Sequence, residues 1–262
     1  MGKIKNDKYY TPVELAQELI QITFNKIGLE NIYEIIEPSA GNGVFSNQIK
    51  GCIAYDIEPD GEDIIEQDFL KLKMPYKSGR LIIGNPPFGS CMNMAQKFFK
   101  KGVEIADYIA FILPISQLNN NRTMYEFDLI YSEDLGNVYF TDRELHVCFN
   151  IYIRPKLGLN KQPKNRLKDV TIIRQDSKKY KDSPYDIRMC HWGDGTAGKI
   201  LEEYESYAGE YKIIINNDKK YDQIYNFITT FNWNGYFKNI SMKRIKQWQI
   251  IEILEDNIED IE

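Results

Sequence analysis

The sequence predicts an α/β protein: a mostly parallel seven-stranded sheet covered on both faces, an antiparallel hairpin at its edge, and a small C-terminal α+β region. Three observations carry this. Short apolar runs alternate with segments of helical period over the first 156 residues, which is the pattern of strand–helix–strand crossovers in a parallel sheet. The last two apolar runs of that span follow each other without room for a helix, so they pair antiparallel. Composition then shifts: residues 155–165 hold two Pro, one Gly and several Lys and read as a linker or exposed loop. The expected division is therefore residues 1–156 and 157–262.

The elements follow in order. Residues 12–28 place Val13, Leu15, Ala16, Leu19, Ile20 and Phe24 on or near one helical face. Thr11 is the expected N-cap, with Pro12 at the first helical position. Strands are expected at 33–36, 52–55, 64–65, 81–83 and 108–113, each bounded by Gly, Pro or Asp. Helices are expected between them at 44–50, 92–106 and 121–130. The hairpin strands are 138–141 and 147–153, joined around Arg143 and Glu144. Beyond the linker, 170–174, 185–190 and 211–215 read as strands, and 200–207, 221–231 and 242–254 as helices.

Composition narrows the class. Of 262 residues, 43% are hydrophobic, enough for a real core, which excludes wholesale disorder. No run approaches the ~18 apolar residues of a membrane span. The N-terminus shows no secretory signal, and Asn6 stands where a myristoylation motif wants Ser or Thr. Cys52, Cys91, Cys148 and Cys190 are far apart, so neither a disulfide framework nor a zinc site is expected. A soluble, reduced, cytoplasmic protein without metal is the expectation.

The net charge of −5 conceals strong polarity. Residues 152–181 contain ten basic residues against two acids, a net of +8, while the last eleven hold six acids and no base.

Four motifs sit at expected strand ends, where ligands bind in open α/β sheets. The first is Glu37-Pro38-Ser39-Ala40-Gly41-Asn42-Gly43. Its glycines permit close backbone approach. Glu37 disfavours a pyrophosphate and suits a ligand with an ammonium, such as S-adenosylmethionine. The second is Asp56-Ile57, an acid for ribose hydroxyls beside an apolar side chain for an adenine face. The third is Asp68-Phe69, whose acid accepts from an adenine amino group. Either acid alone reads as a solvated loop residue; the set is what gives them meaning. The fourth, Asn85-Pro86-Pro87-Phe88, presents the Asn85 amide oxygen and the Pro86 carbonyl beside an aromatic ring. Those acceptors fit an NH2 group on a planar substrate, with Phe88 stacked on it.

This constellation resembles the DNA adenine-N6 methyltransferases. Tyr9-Tyr10-Thr11-Pro12 is similar to the N-terminal cofactor motif of their gamma-arranged group, as in the modification subunits of restriction systems. Asp107-Tyr108-Ile109-Ala110-Phe111-Ile112-Leu113-Pro114 is similar to the strand after the catalytic loop. The resemblance covers about residues 8–155. It implies a Rossmann-like class I methyltransferase fold and S-adenosyl-L-methionine as cofactor. It implies that residues 37–43, Asp56, Ile57, Asp68, Phe69 and the Tyr10-Thr11-Pro12 turn hold that cofactor together with Asn85. It implies that residues 85–88 are catalytic and that the target adenine is flipped out of double-stranded DNA.

Residues 157–262 are then a target-recognition or partner-binding region. Lys161, Lys164, Arg166 and Lys168 are the expected phosphate contacts. Arg122, in the loop after 108–113, is either a further contact or an ordinary surface residue. The Gly-rich segment 192–199 reads equally as a phosphate contact or as a helix-entry loop. His146 and His191 read as structural, with no acid partner placed beside either. The acidic tail would be repelled by DNA, so a second protomer or a partner subunit is expected to complete recognition. RNA adenine methylation and a non-catalytic DNA-binding role remain as alternatives. Glutamine and cytosine-N4 methylation share the chemistry, but Phe88 and Asn85 fit them less well.

Overall fold

The computed structural model describes residues 9–141, 143–193, 195–236 and 244–262. The expected N-terminal readings at 1–8, Asp194 of the Gly-rich segment and the first residues of the helix expected at 242–254 lie outside them. The chain forms two compact units, residues 1–162 and 163–262.

The first unit is built on a seven-stranded sheet of order β3-β2-β1-β4-β5-β7-β6. Its strands are β1 (Glu34–Glu37), β2 (Ile53–Asp56), β3 (Ile64–Glu66), β4 (Arg80–Gly84), β5 (Tyr108–Pro114), β6 (Asp128–Phe140) and β7 (Arg143–Ile153). Strands β1 to β5 pair parallel; β7 pairs antiparallel with both β5 and β6. This is the Rossmann-like sheet with an antiparallel edge hairpin that the sequence predicts.

Strand periodicity explains how both faces are covered. Successive side chains of a strand point to opposite faces. Leu81, Ile83, Ala110 and Ile112 face one apolar layer with Ala16, Leu19 and Ile20 of helix α1 (Val13–Ile27). Ile82, Ile109, Phe111 and Leu113 face the other, with Ala95, Phe98, Phe99 and Val103 of α2 (Asn93–Ile105). Every residue of β4 is buried, as a central parallel strand requires.

Several expected elements differ. Thr11 does not cap α1; the cap position is Pro12, and the Thr11 hydroxyl is engaged elsewhere. Residues 44–50 form a turn with a short 3-10 segment, Ser46–Gln48, instead of an α-helix. Residues 121–127 form no helix: Met124 and Phe127 have helical spacing and are fully buried, but they are plugs from a loop. β6 is far longer than expected because its outer half is polar, as an edge strand can be. Two register shifts, at Leu129/Tyr131 and Asp134/Gly136, break its alternation further. His146 does have an acid partner, since its Nε2 lies 2.7 Å from Asp134 Oδ1 across the hairpin.

The second unit is a three-stranded antiparallel sheet of order β8-β10-β9: β8 (Val170–Arg174), β9 (Ile187–Cys190) and β10 (Glu210–Ile215). Helices α3 (Tyr221–Thr230), α4 (Trp233–Tyr236) and α5 (Gln247–Asn257) accompany it. Its core joins Tyr211, Ile213, Ile224, Trp233, Ile250 and Leu254. Residues 200–207 form no helix, Ile200 bridging to Met189 and the rest running as irregular chain with one turn, so the Gly-rich segment before them leads into no helix. No helix among the described residues is long and apolar enough to cross a membrane.

Candidate active site

Beyond the carboxyl ends of β1, β2, β3 and β4 lies a cavity of about 410 Å³, where the connectivity of an open parallel sheet leaves a crevice. Its walls come from the first-unit motifs. Tyr10, Thr11, residues 37–42, Asp56, Ile57, Asp68, Phe69 and residues 85–87 all line it. Pro12, Gly43 and Phe88 are not among the lining residues. Phe88 instead packs into the apolar layer on the α1 face, and its carbonyl accepts from Met94 N at 3.2 Å as the chain turns into α2.

Glu37 ends β1 and is 1% exposed. Its two carboxylate oxygens accept from Ser46 N at 2.8 Å and Phe45 N at 3.4 Å. Burial pushes its pKa up to about 7 despite those bonds, and Asp56 adds to the rise. This is the most perturbed acid of the site, and perturbed groups concentrate where chemistry or binding occurs.

The loop after β1 is held by its neighbours. Gly41 has φ +55°, and a Cβ there would fall 3.0 Å from Tyr10 Cε1; glycine is required because the Tyr10 ring lies against the backbone. Asp56 Oδ2 accepts from Gly41 N at 2.7 Å, and Oδ1 from Glu58 N at 2.8 Å. The Tyr10 hydroxyl donates to Asp60, and Tyr10 N donates to Thr141 Oγ1 at 3.0 Å. The N-terminal turn is thereby pinned over the Gly loop. Asp68 caps the 3-10 turn Phe69–Lys71, accepting from Leu70 N at 3.0 Å, and pairs with Lys71 at 3.2 Å. Phe69 stacks on Phe98 at 5.5 Å.

Asn85 follows β4. Its Nδ2 donates to Thr11 Oγ1 at 3.3 Å and to Tyr9 O at 3.4 Å. Ser39 Oγ donates to the Asn85 backbone carbonyl at 3.3 Å. With the donor end of the amide committed to the N-terminal turn, the acceptor end is the one presented to the cavity.

No protein-family model and no curated protein sequence matches the chain. Solved structures resemble it in fold. A Thermoplasma acidophilum protein is 20% identical with a TM-score of 0.43, over 59% of this chain and 93% of that one. A proposed RNA methyltransferase from Pyrococcus horikoshii is 18% identical with a TM-score of 0.47, over 59% and 90%. A proposed class I S-adenosylmethionine-dependent methyltransferase from Listeria monocytogenes is 13% identical with a TM-score of 0.46, over 62% and 65%. At these identities the likeness concerns the fold, so the functional reading rests on this chain's own site.

Tyr9 and Gln67, the first residues of their motifs, also line the cavity, as do Val44, Phe45, Leu70, Gly89, Met94 and Phe98, which the sequence does not single out. Most are chain neighbours of motif residues. Met94 and Phe98 sit one turn apart near the start of α2, immediately after the Asn85 loop, and that position was the legible signal.

The expected nucleic-acid contacts are divided between the two units, Arg122 and Lys161 in the first and Lys164, Arg166 and Lys168 in the second. Arg122 is half-buried in the loop after β5, where its N–H donates to Asn120 Oδ1 at 3.1 Å. Lys161 and Arg166 are exposed. Lys164 pairs with Glu255 at 3.1 Å and Lys168 with Glu262 at 3.0 Å. The acidic tail therefore neutralises part of the basic stretch within the second unit.

Proposed function

We propose that this chain is an S-adenosylmethionine-dependent methyltransferase acting on the exocyclic N6 of a flipped-out adenine in double-stranded DNA. The observation that carries the reading is the Asn85 amide, fixed through Nδ2 on Tyr9 and Thr11 at the mouth of a cavity that also contains Glu37.

The residues fit the cofactor. Glu37 is a buried carboxylate bonded to neutral donors, the Ser46 and Phe45 N–H groups and the Ser46 side chain, and an ammonium is the group that would hold it ionised. A carboxylate has about four acceptor sites; Asp56 uses two on the loop, which leaves acceptors for ribose hydroxyls. Ile57 and Phe69 offer apolar surface for an adenine ring, with Asp68 beside them.

The cofactor supplies a methyl group activated by a positively charged sulfur. Asn85 Oδ1 and the Pro86 carbonyl accept the two hydrogens of the substrate amine. These bonds favour a pyramidal nitrogen and free its lone pair from the ring. That nitrogen lone pair would take the methyl of a cofactor bound beside Asn85, with the C–S electron pair kept on sulfur. The amine then loses one proton along the Asn85 hydrogen bond to solvent, so no strong base is needed. In this reading the Phe88 ring reaches a substrate base only by leaving its apolar layer on the α1 face.

The test is methyl transfer from labelled S-adenosylmethionine to unmethylated duplex DNA, total RNA and protein lysate in parallel. N6-methyldeoxyadenosine from DNA is the expected product; label in RNA or protein alone overturns the substrate. Asn85→Ala should lower turnover by about 10²–10³-fold, the usual effect of deleting a group that stabilises developing charge. Cofactor affinity should stay within about twofold. Near-normal turnover would remove Asn85 from catalysis.

A further inference from the structure

The second unit contains an open pocket of about 630 Å³ of its own, within the usual range of ~300–1,000 Å³ for small-molecule sites. Arg174, Gln175, His191, Trp192, Gly209 and Arg244 line it. Two of its polar atoms, His191 Nδ1 and Gln175 Oε1, are buried and have no hydrogen-bond partner among the described residues. Buried polar groups are nearly always paired, and both orphaned atoms belong to residues that line this one pocket.

The pocket is built, not incidental. His191 is 5% exposed. Its N–H donates to Gly209 O at 2.9 Å, its carbonyl accepts from Ile245 N at 2.7 Å, and its ring lies on Tyr211 at 4.7 Å. The imidazole is thus fixed in place. Burial, and then the positive charge of Arg174 and Arg244, lower its pKa, so at neutral pH it offers one N–H and one lone pair. Trp192 is 45% exposed and its indole rests on Gly209, where a Cβ would fall 2.0 Å from Cδ1. Arg174 is held by Asp176 at 3.2 Å.

A bare anion would satisfy the arginines but leave the exposed Trp192 indole uncovered, and Asp176, which also lines the pocket, would repel it. A nucleobase edge has donors and acceptors together, its ring stacks on an indole, and its phosphate suits guanidinium. We propose that this pocket holds one nucleotide of the DNA strand, with the base against Trp192, its edge on Gln175 and His191, and its phosphate between Arg174 and Arg244. The proposal rests on the DNA reading above and adds where the second unit touches DNA.

The test uses the full chain with Trp192→Ala and Arg244→Ala, both at exposed side chains. Binding to labelled random-sequence duplexes should weaken at least tenfold in each variant. The salt slope should fall by about 1 in Arg244→Ala. S-adenosylmethionine affinity should be unchanged in both, and an unchanged denaturant midpoint of the second unit reports that its fold is intact. Deoxynucleoside monophosphates should quench the fluorescence that Trp192→Ala removes, and inorganic phosphate should not. Duplex affinity equal to wild type in both variants overturns the proposal; quenching by phosphate alone overturns its base-recognition part. If the wild type produces N6-methyldeoxyadenosine while the variants keep its kcat/KM, the pocket proposal fails and the catalytic reading stands. If the wild type neither binds nor methylates duplex DNA, both fail.

Discussion

Glu37 in the first unit and Glu210 in the second are both 1% exposed, yet their surroundings treat the charge oppositely. Glu210 receives the Tyr180 hydroxyl, the Tyr207 N–H and the Arg188 guanidinium, the last at 2.8 Å. Burial would raise its pKa, but these partners together hold it below the usual carboxylate value. Glu37 has the Ser46 hydroxyl and the Ser46 and Phe45 N–H groups, and burial wins, so its pKa rises to about 7. One region closes its buried charge within the fold. The other leaves a buried carboxylate without a cation among the described residues, at the end of a parallel strand and lining a cavity. The contrast sets a buried acid with a paired cation against the one proposed above to pair with a ligand's ammonium.

The largest test of the contrast is Glu210→Ala. Removing one partner of a buried pair leaves Arg188 uncompensated and should cost ~3–5 kcal/mol, read as a lower denaturant midpoint. A loss under 1 kcal/mol would mean that Glu210 is not the anchor of its network.

Glu37→Gln should behave differently. At pH 8 the ionised wild-type carboxylate sits in a site that disfavours charge, so neutralising it removes that penalty. The amide loses one N–H···O bond in exchange. Stability should stay within about 1 kcal/mol of wild type, while S-adenosylmethionine affinity falls at least ~10-fold, which is about 1.4 kcal/mol. Unchanged affinity by calorimetry would remove Glu37 as the ammonium partner.

The same contrast marks where the sequence was legible. The sheet was, because β1, β2, β4 and β5 are apolar runs ending at Gly, Pro or Asp. The cavity walls were legible where a motif sits at or just after such a strand, as Glu37, Asp56 and Asn85 do; the Tyr10-Thr11-Pro12 turn precedes every strand and was legible only through the resemblance. The helix expected at 121–130 was not: Met124 and Phe127 have helical spacing, but tertiary burial, not helix periodicity, placed them. The role of the Thr11 hydroxyl was hidden too, since Thr before Pro reads as a cap and only the fold brings Asn85 to it. Glu210, Arg188 and Tyr180 are separated by up to 30 residues, and no local pattern announces their union.

Linkage gives the two acids opposite pH windows. The Glu210 pKa is depressed, so its stabilisation is present above the unfolded value near ~4.5 and is lost as pH falls below it. The Glu37 pKa is raised, so stability falls by up to ~3 kcal/mol as pH rises from ~4.5 to about 7, and is flat above. Glu37→Gln should abolish that decline. In the proposed pairing with an ammonium, binding ionises Glu37, so below about 7 affinity should drop and each binding event should release up to one proton. Calorimetry at pH 6 in two buffers of different ionisation enthalpy measures it. Equal heats would mean that Glu37 keeps its proton on binding.

The smallest effect concerns the tail. Lys168 and Glu262 are both well exposed, so their 3.0 Å pair should contribute under ~1 kcal/mol and be screened by salt. Glu262→Gln should therefore leave stability almost unchanged. Its consequence lies in competition, because a DNA phosphate reaching Lys168 must displace this carboxylate. With the carboxylate gone, duplex affinity should rise by about two- to threefold at 50 mM salt and converge with wild type at high salt. Affinities that coincide at every salt concentration would place Lys168 outside the interface. They would leave the pairing of tail and basic stretch as a feature of the second unit alone, closed on itself as Glu210 is.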